Sequence, residues 1–124
     1  MQNNKERKKL GYLGEELAAK YLTEKGYTVL RKNYTVRGGE IDIIATDGKS
    51  LVFIEVKTRK NDIFGSAAEA VDSKKIAHMC TAAEKFIYEN SDKAEIKDLA
   101  VRFDVIEVYT QKSVINHIVN IDIN

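Results

Sequence analysis

Asp42 stands inside the apolar run Ile41-Asp42-Ile43-Ile44, and Glu55 and Lys57 stand inside or beside Val52-Phe53-Ile54-Glu55-Val56. A charged side chain in a buried strand run needs a partner or a ligand, because ionised groups are costly to remove from water. Two carboxylates side by side repel, and a divalent cation between them removes that cost. Hard oxygen donors of this kind suit Mg²⁺ or Mn²⁺, ions that activate water and neutralise charge on a phosphoryl oxygen. An ammonium at Lys57 would orient that water or stabilise the developing phosphorane. The competing reading is a solvated salt-bridge ladder in which Asp42 pairs with Lys57 or Arg59. The residues leave both open, and the apolar surroundings tilt toward the metal.

Strand geometry decides whether these groups converge. Side chains alternate along a strand, so Glu40, Asp42 and Ile44 are expected on one face, and Leu51, Phe53, Glu55, Lys57 and Arg59 on one face of the next strand. If Asp47 to Ser50 form a four-residue loop, Thr46 faces Leu51. Antiparallel counting then sets Asp42 opposite Glu55 and Glu40 opposite Lys57. A two-residue turn would put Glu40 opposite Glu55 instead.

The positioning elements read as follows. Leu10, Leu13, Leu17, Tyr21 and Leu22 recur at helical spacing and Gly26 follows as a stop, which predicts an amphipathic helix over roughly residues 5–25. Strands are expected at Tyr27 to Tyr34, Glu40 to Thr46 and Leu51 to Thr58, separated by turns at Gly38-Gly39 and Asp47-Gly48. Asp72 or Ser73 caps a second helix running to about Asn90, with Ile76, Met79, Cys80, Ala83, Phe86 and Ile87 buried. Val101 to Tyr109 and Val114 to Ile123 read as the closing strands. The order αβββαββ implies an α/β (α+β) fold with a mixed sheet, antiparallel at the Asp47-Gly48 hairpin and parallel across the second helix, flanked by a helix on each face.

With 124 residues, 44% of them hydrophobic and 31% charged, the chain suits a single domain over residues 1–124 that needs no disulfide. A polar, basic start at Met1 to Lys9 and the absence of a long apolar stretch lead us to expect a soluble, cytoplasmic protein with no membrane partner. The lone Cys80 reads as helix-face packing. A net charge of +1 gives no global argument for nucleic-acid binding, so that reading must rest on local clustering.

Asp42 followed across a turn by Glu55-Val56-Lys57 resembles the active-strand motif of the PD-(D/E)XK, or restriction-endonuclease-like, superfamily, with Ile41 in place of the usual Pro. More closely, Gly14-Glu15 with Ala18, Gly26-Tyr27, Arg31 to Tyr34, Gly39-Glu40-Ile41-Asp42, Phe53 to Arg59, Phe64-Gly65 and Arg102-Phe103-Asp104-Val105 resemble the YraN-like family over nearly the whole chain. The resemblance implies a restriction-endonuclease-like core similar to archaeal Holliday junction resolvases. It also implies a Mg²⁺- or Mn²⁺-dependent endonuclease with Glu15, Asp42, Glu55 and Lys57 as catalytic residues. Asp42, Glu55 and the Val56 carbonyl would hold the metal. Glu15 is chosen over Glu16 by its place in Gly-Glu-x-x-Ala and by a helical projection that sets it beside small residues.

Among the basic residues Arg37, Lys57, Arg59, Lys60, Lys74 and Lys75, those at Arg59 and Lys75 match positions where the family repeats a basic residue. They are the expected nucleic-acid contacts. Arg37, Lys60 and Lys74 read as ordinary surface. His78 and His117 are too isolated for zinc or general-base work, and Tyr34 and Phe64 read as core or rim packing. The expected substrate is branched or single-stranded DNA. Two other readings stand beside it: a non-catalytic nucleic-acid-binding module, and a dimeric adaptor that pairs through the edge of its last strand.

Overall fold

The computed structural model describes residues 4–59 and 72–123. Helix α1 (Asn4–Glu24) is followed by strands β1 (Thr28–Val36), β2 (Gly39–Thr46) and β3 (Ser50–Arg59). Helix α2 (Ser73–Asn90) and strands β4 (Ala100–Tyr109) and β5 (Val114–Ile118) complete the order αβββαββ, as expected. The five strands form one sheet in chain order, β1-β2-β3-β4-β5. Only β3 and β4 run parallel, on either side of α2. The other neighbours are antiparallel.

Local chemistry sets the boundaries. Gly26 adopts φ +95°, a conformation open to a residue without Cβ, and the Tyr27 amide closes back on the Leu22 carbonyl at 2.9 Å to end α1. Asp72 caps α2 by accepting from the Lys75 amide at 2.8 Å. Between β2 and β3, Asp47 Oδ1 takes the amides of Lys49 and Ser50, and Gly48 turns at φ +93°. This is the four-residue loop, and it fixes the register at Thr46↔Leu51.

The sheet separates two apolar layers. Tyr34, Ile41, Ile44, Leu51, Phe53, Phe103 and Val105 pack with Met79, Ala82, Ala83 and Phe86 of α2. Ile43, Ala45, Val52, Ile54, Val56, Ile106 and Val108 pack with Ala18 and Leu22 of α1. The face of α1 is rotated from the expected Leu13–Leu17–Tyr21–Leu22 stripe. Leu22 is buried and Leu17 and Tyr21 are half-buried against the core, as expected, but Leu13 is exposed and the other buried residues are the small Gly14 and Ala18. The reason is steric: a Cβ at Gly14 would fall on the Thr58 hydroxyl of β3, so small side chains bring the helix down onto the sheet. Gly39 plays the same part under α2, pressed against the His78 carbonyl and the Ala82 amide.

The last strand is also shorter than expected. Pairing with β4 ends at Val105↔Ile118. Beyond it Asn120 turns at φ +59° and gives its amide to Asp104, while the Ile121 amide reaches the Phe103 carbonyl. A side chain has taken a backbone donor from the ladder, so Val119 to Ile123 do not continue the strand. The free edge at β5 is correspondingly short. Among the described residues, no helix is long and apolar enough to cross a membrane.

Candidate active site

Strand β2 leaves β3 at Asp42. The paired register of the two strands runs from Thr46↔Leu51 to Ile43↔Ile54 and stops there, although β2 stays paired to β1 as far as Gly39. At the divergence the Val56 amide of β3 donates to Asp42 Oδ2 at 2.8 Å. Opposite Asp42 in β1, Asn33 turns left-handed at φ +53°, a conformation asparagine tolerates better than most residues. Strict alternation breaks at this point. Ile41 and Ile44 both enter the α2-side layer and Ile43 the α1-side layer. The expectation that Glu40, Asp42 and Ile44 share one face is therefore corrected: the irregularity at Asp42 resets which face each residue of β2 presents.

Glu55 lies on β3 just beyond the last paired residue and is buried, at 4% exposure. The Lys75 ammonium, from the first turn of α2, is 3.0 Å from Glu55 Oε2 and 3.0 Å from Glu40 Oε1. Its contact with Glu40 is a hydrogen bond. Its contact with Glu55 is an ion pair only, and Glu55 Oε2 is buried without a hydrogen bond. Glu40 thus meets Lys75 rather than the expected Lys57, because β2 has already left the ladder. Lys57 is half-buried and forms no ion pair among the described residues, yet its charge acts on the Asp42 carboxylate.

The electrostatics place Asp42 at the centre. Burial pushes its carboxyl above the usual aspartate range; the Val56 amide, Lys75 and Lys57 oppose that, and Glu40 adds to it. Glu15, on the sheet-facing edge of α1 beside buried Gly14, is likewise raised, first by burial and then by the charge of Asp42, with Asn33 and Lys32 opposing. Its Oε1 is buried with no hydrogen bond. Glu16, one residue on, is exposed and pairs with Lys32 at 2.9 Å.

The donor set fits a hard divalent cation of the magnesium kind. Among the described residues no three His, Cys, Asp or Glu side chains gather tightly enough to hold a metal by themselves. Magnesium does not require such a cage, since it keeps several waters and commonly uses one or two carboxylates plus substrate oxygens. The residues that would hold it are Asp42, Glu55 and the Val56 carbonyl. The observation that favours this is that Glu55 Oε2 is buried with the Lys75 ammonium beside it and no hydrogen bond made, so the carboxylate keeps lone pairs free to take a cation.

The two expected nucleic-acid contacts separate. Lys75 belongs to the acidic cluster. Arg59 turns the other way along the sheet, where its Nε donates to Glu107 at 3.2 Å. Glu107 is 2% exposed and also accepts from Asn116 at 2.9 Å. Arg37 and Lys74 are exposed, and Lys60, Phe64 and Gly65 lie outside the described residues. Tyr34 is core, edge-on to Phe86 with its hydroxyl donating to Glu89.

Sequence reasoning passed over Glu107 and Asp104. Both lie in the β4 run Phe103-Asp104-Val105-Ile106-Glu107-Val108, so the signal that singled out Asp42 and Glu55, a carboxylate among apolar strand residues, was present there too. Asp104 is completely buried and fully satisfied. It holds Arg102 through both oxygens at 2.9 and 3.0 Å, His117 Nε2 at 2.7 Å and the Asn120 amide at 2.9 Å. Tyr21 pairs with the other nitrogen of His117 at 3.0 Å, and Arg102 reaches Tyr27 and Asp47. This network ties α1 and the β2–β3 loop to β4 and β5. His117 is semi-buried, as expected, and serves it.

Comparison with known proteins gives one consistent result. Residues 14–108 match the family described as "Uncharacterised protein family UPF0102". A UPF0102 protein of Clostridioides difficile is 43% identical over 118 residues, covering 95% of this chain and 97% of the relative. One from Carboxydothermus hydrogenoformans is 51% identical over 84 residues, 68% of this chain and 71% of the relative. Another, from Alkaliphilus oremlandii, is 44% identical over 115 residues, with 91% and 97% covered.

Proposed function

The chain belongs to uncharacterised protein family UPF0102, the YraN-like proteins, and we propose that it is a metal-dependent endonuclease of the restriction-endonuclease-like kind, hydrolysing phosphodiester bonds in branched or single-stranded DNA. The observation that carries this reading is the divergence of β2 from β3 at Asp42, next to buried Glu55. It sets two carboxylates at the open end of a sheet pair, where hairpin continuation would have given backbone bonds.

The roles of the residues follow from their positions. The Val56 amide fixes the orientation of the Asp42 carboxylate, and Glu55 presents the second carboxylate from an interior strand paired on both sides. Together with the Val56 carbonyl they hold a magnesium or manganese ion. Such an ion supplies an activated water and neutralises phosphoryl charge. Lys57, two residues along β3 from Glu55, orients the nucleophile and stabilises charge on the phosphorus oxygens. Glu15 faces Asp42 from α1 with a carboxyl raised by burial, which suits a group that shares or relays a proton near the same water. Arg59 and Lys75 contact phosphates on either side of the scissile bond.

A second reading, a nucleic-acid-binding module without cleavage, draws on the ion-paired state of Arg59 and Lys75 and a net charge of only +1. Labelled junction, flap, single-stranded and duplex DNA incubated with Mg²⁺ or Mn²⁺ separate the two. Cleavage by the wild type that disappears in Asp42→Asn and Glu55→Gln supports the nuclease. Binding with no cleavage of any substrate supports the module.

A further inference from the structure

The acidic cluster already contains a cation. Lys75 Nζ stands 3.0 Å from an oxygen of Glu55 and 3.0 Å from one of Glu40. Glu55 is almost wholly buried, so its charge needs neutralising, and among the described residues Lys75 is the ion partner that does so. The fit is incomplete: the ammonium hydrogen-bonds Glu40 but leaves Glu55 Oε2 with no hydrogen bond. Glu40 is largely exposed, and an exposed pair of this kind holds weakly. Lysine carries its charge on a flexible four-carbon stem, whereas its backbone is anchored by the Asp72 cap. An anchored root, a long side chain and a partial contact describe a group that can leave without disturbing the fold.

We propose that Lys75 is a resident counter-cation of the carboxylate site, which a divalent ion displaces from Glu55, freeing the ammonium at the start of α2 to bind a substrate phosphate. This rests on the reading of Asp42 and Glu55 as metal ligands. The reason for displacement is Coulombic: a divalent ion held on Glu55 would stand within a few ångströms of the Lys75 ammonium on the same carboxylate, and like charges at such separations repel. Metal loading and exposure of a phosphate-binding lysine thereby become a single event. The protein with no metal bound keeps its acidic cluster neutralised and presents less positive charge to DNA.

The test uses the wild-type protein, so it needs no variant to fold. Lysines are reductively methylated with and without saturating Mn²⁺, and the rate at Lys75 is followed by peptide mass spectrometry against exposed Lys20 and Lys85 as internal references. Displacement predicts a several-fold rise at Lys75 with the references unchanged. A rate at Lys75 that is unchanged or lower while Mn²⁺ binds would overturn the proposal. Calorimetric titration of Lys75→Gln supplies the second arm. Removal of the competitor predicts Mn²⁺ binding about tenfold tighter than wild type, the equivalent of one modest ion pair. Equal or weaker binding would contradict it. Absence of Mn²⁺ binding by both proteins would remove the metal-site reading itself and this inference with it, a result distinct from intact binding without displacement.

Discussion

The Val56 amide donates to the Asp42 carboxylate at 2.8 Å, at the point where the pairing of β2 with β3 has ended. A side chain thus occupies the place of a ladder acceptor, and the two strands part around it. The bond does two things at once. It satisfies a buried amide that the divergence would orphan, and it sets the orientation of a carboxylate within electrostatic reach of Lys75, Glu40, Lys57 and Glu15.

Asp42 is expected to cost the metal-free protein stability. Its folded-state pKa is raised, so at neutral pH the ionised form is penalised in the folded chain, and the penalty fades as pH falls through that raised value. Asp42→Asn keeps an oxygen for the Val56 amide and removes the charge. We expect it to unfold a few degrees higher than wild type without metal, a gain of about 1 kcal/mol. Added Mn²⁺ should raise the wild-type midpoint and leave the variant unmoved. Thermal unfolding by circular dichroism reads both.

Lys57 serves chemistry rather than metal retention. Lys57→Met should reduce cleavage by about two to three orders of magnitude, the range for losing one group that stabilises the transition state. Mn²⁺ affinity should stay within a few-fold of wild type. Single-turnover cleavage together with a metal titration separates this outcome from a folding defect.

The contact of Gly14 with Thr58 holds α1, and with it Glu15, on the sheet. Gly14→Ala should destabilise the protein by about 1–3 kcal/mol, because the new methyl meets the Thr58 side chain. Thr58→Ala should recover part of that loss, so the double variant is less destabilised than the sum of the two singles. Urea unfolding of the four proteins measures the coupling.

Asp104 sets the acid limit of the fold. Burial alone would raise its pKa, but the hydrogen bonds from His117, Arg102 and Asn120 outweigh burial and hold it below the usual aspartate value. The sign follows: the stabilisation is complete above the unfolded-state value of 3.8 and is lost as pH falls through the lower folded-state value. Asp104→Asn should cost about 3–5 kcal/mol at neutral pH, since it breaks a buried network and strands Arg102 and His117. Wild type and variant should converge as pH falls below 3.8 and through the lower folded-state value. Denaturant unfolding across that range reads the convergence.

Much of this was legible in the amino-acid sequence because it rests on local rules. Apolar periodicity, the Asp47-Gly48 turn and the Asp72 cap specify the element order, and the four-residue loop specifies the register from Thr46↔Leu51 to Ile43↔Ile54; the Asp42–Glu55 pair that further counting gives is not formed, because β2 has left β3 there. What was not legible depends on contacts between distant segments. The buried stripe of α1 is set by the close approach of Gly14 to Thr58 of β3, so the larger Leu13 misdirects a reading by hydrophobic spacing. The face reset at Asp42 coincides with the left-handed turn of Asn33 in the neighbouring strand. The early end of β5 depends on Asp104 claiming the Asn120 amide. The engagement of Lys75 with Glu40 and Glu55 joins three elements, and no spacing in the chain announces it.

The central claim, that Asp42 and Glu55 form one divalent-cation site, is tested most directly by calorimetric titration of Mn²⁺ into wild type, Asp42→Asn and Glu55→Gln. A single site in the wild type is expected, with a loss of at least tenfold in affinity in each variant, about 1.4 kcal/mol or more. Wild-type affinity retained in both variants would contradict it.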